Sequence, residues 1–317
     1  MSVFTTLSLE EVRIWLRDFD LGDIIELRGI AAGITNTNYF VVTQNKRQEQ
    51  TRYVLTVFEH NKLEELPYFV DLMTHLAKHG VPCPTPIADK NGLTLHVLKG
   101  KPALMVSCLK GSDTETPNVA QCAQVAKTLA QMHIAGKDFV KKPHNQLGVE
   151  WREVTAQQVM PKLKPDEQIL LKTELDFQAK LDLSALPHSV VHGDLFRDNV
   201  LFDGDNLGGF IDFYYACDDS QAYDVAIAVN DWCVLEDGSF DSEKLTAFLA
   251  AYQAVRPFTA AENASWHTLL RSAALRFWLS RLFDFYYPAT GELTHAKDPN
   301  HFKHILLNRI QLQQLAH

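Results

Sequence analysis

The sequence predicts an α+β fold in two lobes, a small antiparallel sheet followed by a larger, mainly helical part. Three observations carry this expectation. A chain of 317 residues exceeds one typical hydrophobic core. Residues 24 to 109 hold five short β-rich runs separated by polar or glycine-containing connections, with one helical stretch among them. Beyond Gly111 apolar residues recur at helical spacing through most of the chain. The lobes are therefore expected at 1–109 and 110–317.

In order along the chain, "SLEE" at 8–11 has the capping-box form, with Ser8 as cap and Glu11 reaching back. Val12, Trp15, Leu16 and Phe19 follow at helical spacing, so a short helix opens the chain. "IIELRGI", "NYFVVT" and "RYVLTVFE" read as three antiparallel strands joined by "AAGITNT" and "QNKRQEQ". "LEELPYFVDLMTHLAKHG" reads as a helix ending at Gly80, and the proline-rich "VPCPTPI" as an extended connector. "LTLHVLKG" and "KPALMVSCL" complete the sheet with two strands meeting at Gly100 and Lys101. In the second lobe "VAQCAQVAKTLAQMHIAG" and the segments 240–255, 260–287 and 300–315 are helical, and only 189–212 returns to strands.

Composition excludes several functions. Hydrophobic residues at 46% and charged residues at 22% rule out a disordered, collagenous or coiled-coil chain. Thirty Lys and Arg against 39 Asp and Glu give a net charge of -9 with no basic patch, so neither nucleic acid nor an anionic membrane is an expected partner. Five cysteines, odd in number and without a C-x-x-C pair, indicate neither a disulfide framework nor a zinc site. The N-terminus lacks a basic segment followed by an apolar run, and no apolar stretch reaches the roughly 18 residues that span a bilayer. A cytoplasmic protein is expected.

The segment "VVHGDLFRDNVLF" at 190–202 sets His192, Asp194, Arg197, Asp198 and Asn199 between two hydrophobic strand ends. Buried, each would need a partner, so the segment reads as a loop held at the mouth of a cleft, the alternative being a solvated turn. His192, Asp194 and Asn199 form H-x-D-x-x-x-x-N, and Asp212 stands in "GGFIDFYY" beyond a turn at Gly204 to Asn206. Phosphoryl transfer needs a carboxylate to accept the hydroxyl proton, oxygen ligands for Mg²⁺ and a cover over the phosphates. Asp194, Asn199 and Asp212 can supply the first two.

These segments resemble the catalytic loop and metal-binding segment of the aminoglycoside phosphotransferase and choline kinase superfamily, which has the bilobal protein-kinase-like fold. The resemblance covers nearly the whole chain and implies an ATP-dependent kinase of a small hydroxyl compound. It implies Asp194 as catalytic base, Asn199 and Asp212 as Mg²⁺ ligands, and His192 as a support within the loop. Asp224, in "AYDVAIAV", falls where the family places an aspartate that braces the catalytic loop, and a helix cap is the compatible alternative. "GIAAGITNTNYFVV" resembles the phosphate-covering loop, with Gly33, Thr35 and Asn36 near the phosphates, although an ordinary hairpin has the same glycines. Ser107 to Leu109 resemble the hinge that holds adenine. His133, with apolar neighbours, is expected in the core.

One part departs from the pattern. The third strand of kinases carries a phosphate-binding lysine, and "YVLTVFE" aligns Thr56 there, with Val54 on the same face able to roof the adenine. Metal and backbone donors, or a base such as Lys62 or Arg52, would have to compensate, or the chain is a nucleotide-binding pseudokinase. The loop, the threonine strand, "HGDLFRDNVLF", "IDFYYACDD" and "LRFWLSRL" resemble the type II homoserine kinase branch, which implies L-homoserine as substrate and Thr56 as a branch trait. A zwitterion needs a cation and an anion or carbonyl. Arg276, Arg281, Asp231 and Trp232 are available, and at about 100° per residue at most one of the two arginines is expected to reach a pocket. Aromatics including Trp232, Tyr214 and Tyr215 could instead enclose the quaternary ammonium of choline. Without the resemblance, choline, ethanolamine, methylthioribose and aminoglycosides stay open beside homoserine, as does the oligomeric state.

Overall fold

The computed structural model describes residues 4–30, 36–180, 183–288 and 297–315. The chain divides into two compact units, Met1–Gly111 with Gly208–Ile211, and Ser112–Leu207 with Asp212–His317.

The first unit is built on a five-stranded antiparallel sheet, β1 (Asp23–Gly29), β2 (Thr37–Gln44), β3 (Gln50–Val57), β4 (Leu95–Leu98) and β5 (Lys101–Ser107), in the order β1-β2-β3-β5-β4. Ser8 and Glu11 close the expected capping box on α1 (Leu9–Trp15). One face of the sheet, through Tyr39, Val41, Leu55, Val57 and Met105, packs on Val12, Trp15, Leu16 and Phe19 to form the core. The side-chain period of two then sends Asn38, Phe40, Val54 and Thr56 to the opposite face. Asn38 stands directly across from Thr56, and Phe40 from Val54. Helix α2 (Leu66–Lys78) follows β3 and ends at His79, with Gly80 at φ 80°.

The second unit contains α3 (Val119–Gly136), α4 (Val149–Val159), α5 (Pro165–Gln178), β6 (His188–Val191), β7 (Val200–Asp203), β9 (Cys217–Ser220), α6 (Gln221–Trp232), α7 (Ser242–Val255), α8 (Ala260–Tyr286) and α9 (Pro299–Leu315), while β8 (Asn206–Phe210), the partner of β7, belongs to the first unit from Gly208 on. Every residue of α6 is buried, so it is the spine of this unit, and α8 packs on both α6 and α9. Strand β9 corrects the expectation that strands end at 212. Its sequence, "CDDS", has no alternating apolar pattern, and it is held by antiparallel pairing with β6, His188 opposite Ser220 and Val191 opposite Cys217. The five cysteines are free thiols, four buried and Cys108 partly so.

Candidate active site

The candidate catalytic loop, 192–199, begins where β6 ends. His192 and Gly193 turn their backbone N–H groups onto Asp224 in the first turn of α6, at 2.7 Å to Oδ2 and 2.9 Å to Oδ1. Gly193 takes φ 75°, and a Cβ there would meet the Tyr215 carbonyl oxygen at 2.7 Å, so both dihedral and space require glycine. Its own carbonyl accepts from Arg276 Nη1. Asp224 is fully buried, and Ser220, not Asp224, occupies the cap position of α6.

Burial opposes ionisation of Asp224, yet the hydrogen bonds from His133 and the His192 amide hold its carboxyl below the ordinary carboxylate range. Burial also drives His133 toward its neutral form, against the pull of Asp224. An ionised carboxylate can only accept, so His133 donates from Nε2 to Asp224 at 3.0 Å and accepts at Nδ1 from the Tyr252 hydroxyl at 2.7 Å. His133 is buried as expected, but its partners are polar. Tyr252, 119 residues away in sequence, left no local signal.

Asp194 is partly buried, and its amide donates to His192 Nδ1 at 3.3 Å. Burial pushes its carboxyl up to about 7, with Arg276 opposing the rise and Asp212 and Asp198 adding to it. Asn199 donates from Nδ2 to the Asp194 carbonyl at 2.7 Å and to Asp194 Oδ2 at 3.1 Å. The Asn199 amide nitrogen thereby donates twice to Asp194. Asp212 sits in the left-handed region at φ 62°, ψ 60°, an uncommon conformation outside glycine. Desolvation and the Asp198 carboxylate raise it to about 6, against the Tyr214 backbone hydrogen bond, although its surface keeps solvent access. Among the described residues no group of three or more His, Cys, Asp or Glu is placed to hold a metal.

The residues expected near a substrate surround this loop. Asp231 accepts from the Arg197 amide at 2.8 Å and from its Nε at 3.1 Å, and the Trp232 indole N–H donates to the Leu195 carbonyl at 3.0 Å. Both are buried and fix the loop. Arg276 is buried against Phe277, its guanidinium 4.1 Å from the ring centroid. Arg281 is partly buried, rests over Phe302 at 4.5 Å and donates to the Asp298 carbonyl at 3.1 Å. Desolvation lowers its pKa, opposed by Asp231, Asp198, Asp298 and Asp194, so it lies within electrostatic reach of the catalytic loop. Lys297, which sequence reasoning missed, pairs with Asp198 at 2.6 Å.

In the first unit Val54 is partly buried and Thr56 buried on the sheet face away from the core. Asn36 accepts at Oδ1 from the Glu59 amide at 3.3 Å. Gly33 and Thr35 lie outside the described residues. The Ser107 amide donates to the Thr85 carbonyl at 2.9 Å, so that group of the expected hinge is already engaged. Leu109 is partly buried, its carbonyl accepting from the Cys108 thiol at 3.4 Å.

The fold has protein-kinase-like architecture, and the chain's relatives make its class an ATP-dependent small-molecule kinase. Comparison with known proteins gives the family. The sequence pattern of the phosphotransferase enzyme family matches residues 26–258. A homoserine kinase of Methylobacillus flagellatus is 53% identical over 314 residues, covering 99% of this chain and 97% of that protein. A homoserine kinase of Neisseria meningitidis serogroup B is 46% identical, covering 97% and 99%. The chain therefore belongs to the phosphotransferase enzyme family, in its homoserine kinase branch. Solved structures share the fold at low identity. A spectinomycin phosphotransferase in complex with ADP and spectinomycin has TM-score 0.71 and 13% identity, covering 98% of this chain and 100% of that one. Choline kinase from Cryptosporidium parvum has TM-score 0.69 and 16% identity, covering 98% and 97%. No helix among the described residues is long and apolar enough to cross a membrane.

Proposed function

We propose that the protein transfers the γ-phosphoryl group of ATP to the side-chain hydroxyl of L-homoserine, giving ADP and O-phospho-L-homoserine on the route to threonine. The observation that carries the substrate is full-length identity of 53% to a protein named homoserine kinase. Asp194 accepts the hydroxyl proton as the oxygen–phosphorus bond forms and the bond to the ADP oxygen breaks. Asn199 Oδ1 and Asp212 would hold Mg²⁺, which supplies charge neutralisation along the phosphates. Asn199, donating to the backbone carbonyl and to Oδ2 of Asp194, ties base and metal ligand together.

The rise of Asp194 to about 7 supports a base role, because a base matched to neutral pH accepts a proton most effectively. Val54, Thr56 and the hinge from Ser107 to Leu109 form the nucleotide side of the reading, with Gly33, Thr35 and Asn36 over the phosphates. For the zwitterion, Arg281 is the better carboxylate partner, since Arg276 is buried and committed to Gly193. An ADP-release assay across homoserine, choline, ethanolamine, methylthioribose and an aminoglycoside tests the reading. Turnover should be fastest with homoserine. Faster turnover of any other compound overturns the substrate assignment, and no turnover with any of them would favour a pseudokinase.

A further inference from the structure

Thr56, where kinases carry a lysine, has a definite partner. Its hydroxyl donates to Asn38 Oδ1 at 2.7 Å, across the β2–β3 pairing. The other end of the Asn38 amide lies 3.5 Å from the Asn36 carbonyl oxygen. That contact fixes the amide, because an oxygen there would set two acceptors against each other. Asn38 therefore has its carbonyl occupied by Thr56 and its NH₂ turned toward the end of β2. Among the described residues this group reaches only one acceptor, at the limit of hydrogen-bond range.

The surroundings make the arrangement rigid. Asn36 is 7% exposed and anchored to the Glu59 amide, and Thr56 is 5% exposed, so neither partner of Asn38 is free to turn away. Asn38 itself keeps partial solvent access on the same sheet face as Val54. A fixed amide with a second N–H to spend is a built site for an acceptor oxygen.

We propose that Asn38, oriented by Thr56, donates to the phosphate chain of the nucleotide in place of the absent strand lysine. The inference rests on the reading of this sheet face as the nucleotide's. Thr56 is then a positioning residue and Asn38 the group that touches phosphate. A neutral amide gives direction without charge, so neutralisation falls to the cation, and a lysine is no longer required.

Titration calorimetry of the full chain with Mg²⁺·ADP and with adenosine tests this. The wild type should bind Mg²⁺·ADP more tightly than adenosine. Asn38→Ala should weaken Mg²⁺·ADP by about tenfold or more, about 1.4 kcal/mol, and leave adenosine within about twofold. Thr56→Val should lose several-fold in ADP affinity while Thr56→Ser retains it. Unchanged ADP affinity in Asn38→Ala, or an equal loss for adenosine, overturns the inference. Should Asn38→Ala not fold by circular dichroism, equal ADP affinity of Thr56→Val and Thr56→Ser overturns it instead. A wild type that binds ADP no better than adenosine overturns the nucleotide reading itself, and this inference with it.

Discussion

At the scale of single residues, the site sets two carboxylates in opposition. Asp194 is raised to about 7 and Asp212 to about 6, each partly by the negative charge of neighbours. A carboxyl whose folded pKa lies above its ordinary 3.8 binds more protons folded than unfolded, so its contribution to stability falls as pH rises from about 4 to about 7. Asp194→Asn removes that penalty. The stability of this variant relative to wild type, measured by urea unfolding without ligand, should increase across that window and level off above about 7. A difference that stays flat with pH would show that Asp194 is not raised. The same variant should lose about 100-fold or more in kcat with ATP affinity retained, and retention of more than about a tenth of kcat removes Asp194 as base. Asp212→Ala should raise the Mg²⁺ concentration needed for nucleotide binding by about tenfold, the loss of one charged ligand. A Mg²⁺ titration unchanged from wild type would take it out of the metal site.

At the scale of elements, the candidate catalytic loop is held by helices that follow it in sequence. Asp224 on α6 accepts two loop amides and a histidine, so Asp224→Ala strands three buried donors at once. We expect a loss of about 3 kcal/mol or more in urea unfolding, with Asp224→Asn less severe because one acceptor oxygen remains. A loss below about 1 kcal/mol would mean that water replaces the carboxylate. How far this was legible depends on where the signal resides. The five strands of the sheet announced themselves by local alternation, and the spacing of Asp194, Asn199 and Asp212 around one hairpin made them the candidates. Strand β9 was illegible, because "CDDS" owes its conformation to pairing with β6 and to nothing in its own composition. The Asp224–His133–Tyr252 chain was half legible, since Asp224 lies near the motif and Tyr252 is far from it in sequence. Asn38 opens the run "NYFVVT" that reads as a strand, yet only the cross-strand register shows that its partner is Thr56.

At the scale of the whole molecule, the last helix of the chain reaches back to the loop at its middle. Phe302 on α9 is fully buried, stacked on Phe196 at 5.7 Å between ring centroids and packed on Phe277 at 5.2 Å, and it carries Arg281 over its face. Ile305 and Leu306 are equally buried, and Arg309 donates from Nε to Asn230 at 2.9 Å, one residue before the Asp231 that anchors Arg197. The loop thus rests on a helix more than 90 residues downstream, which no local pattern could announce. Phe302→Ala opens a cavity beneath Phe196 and should cost about 3–5 kcal/mol in urea unfolding. Because the cavity lies against the segment that carries Asp194 and Asn199, the variant should also lose kcat at a temperature where circular dichroism shows it folded. Phe302→Leu, which refills most of the space, should recover both. A Phe302→Ala enzyme that is destabilised but turns over at the wild-type rate while folded would show that α9 supports the unit without positioning the loop.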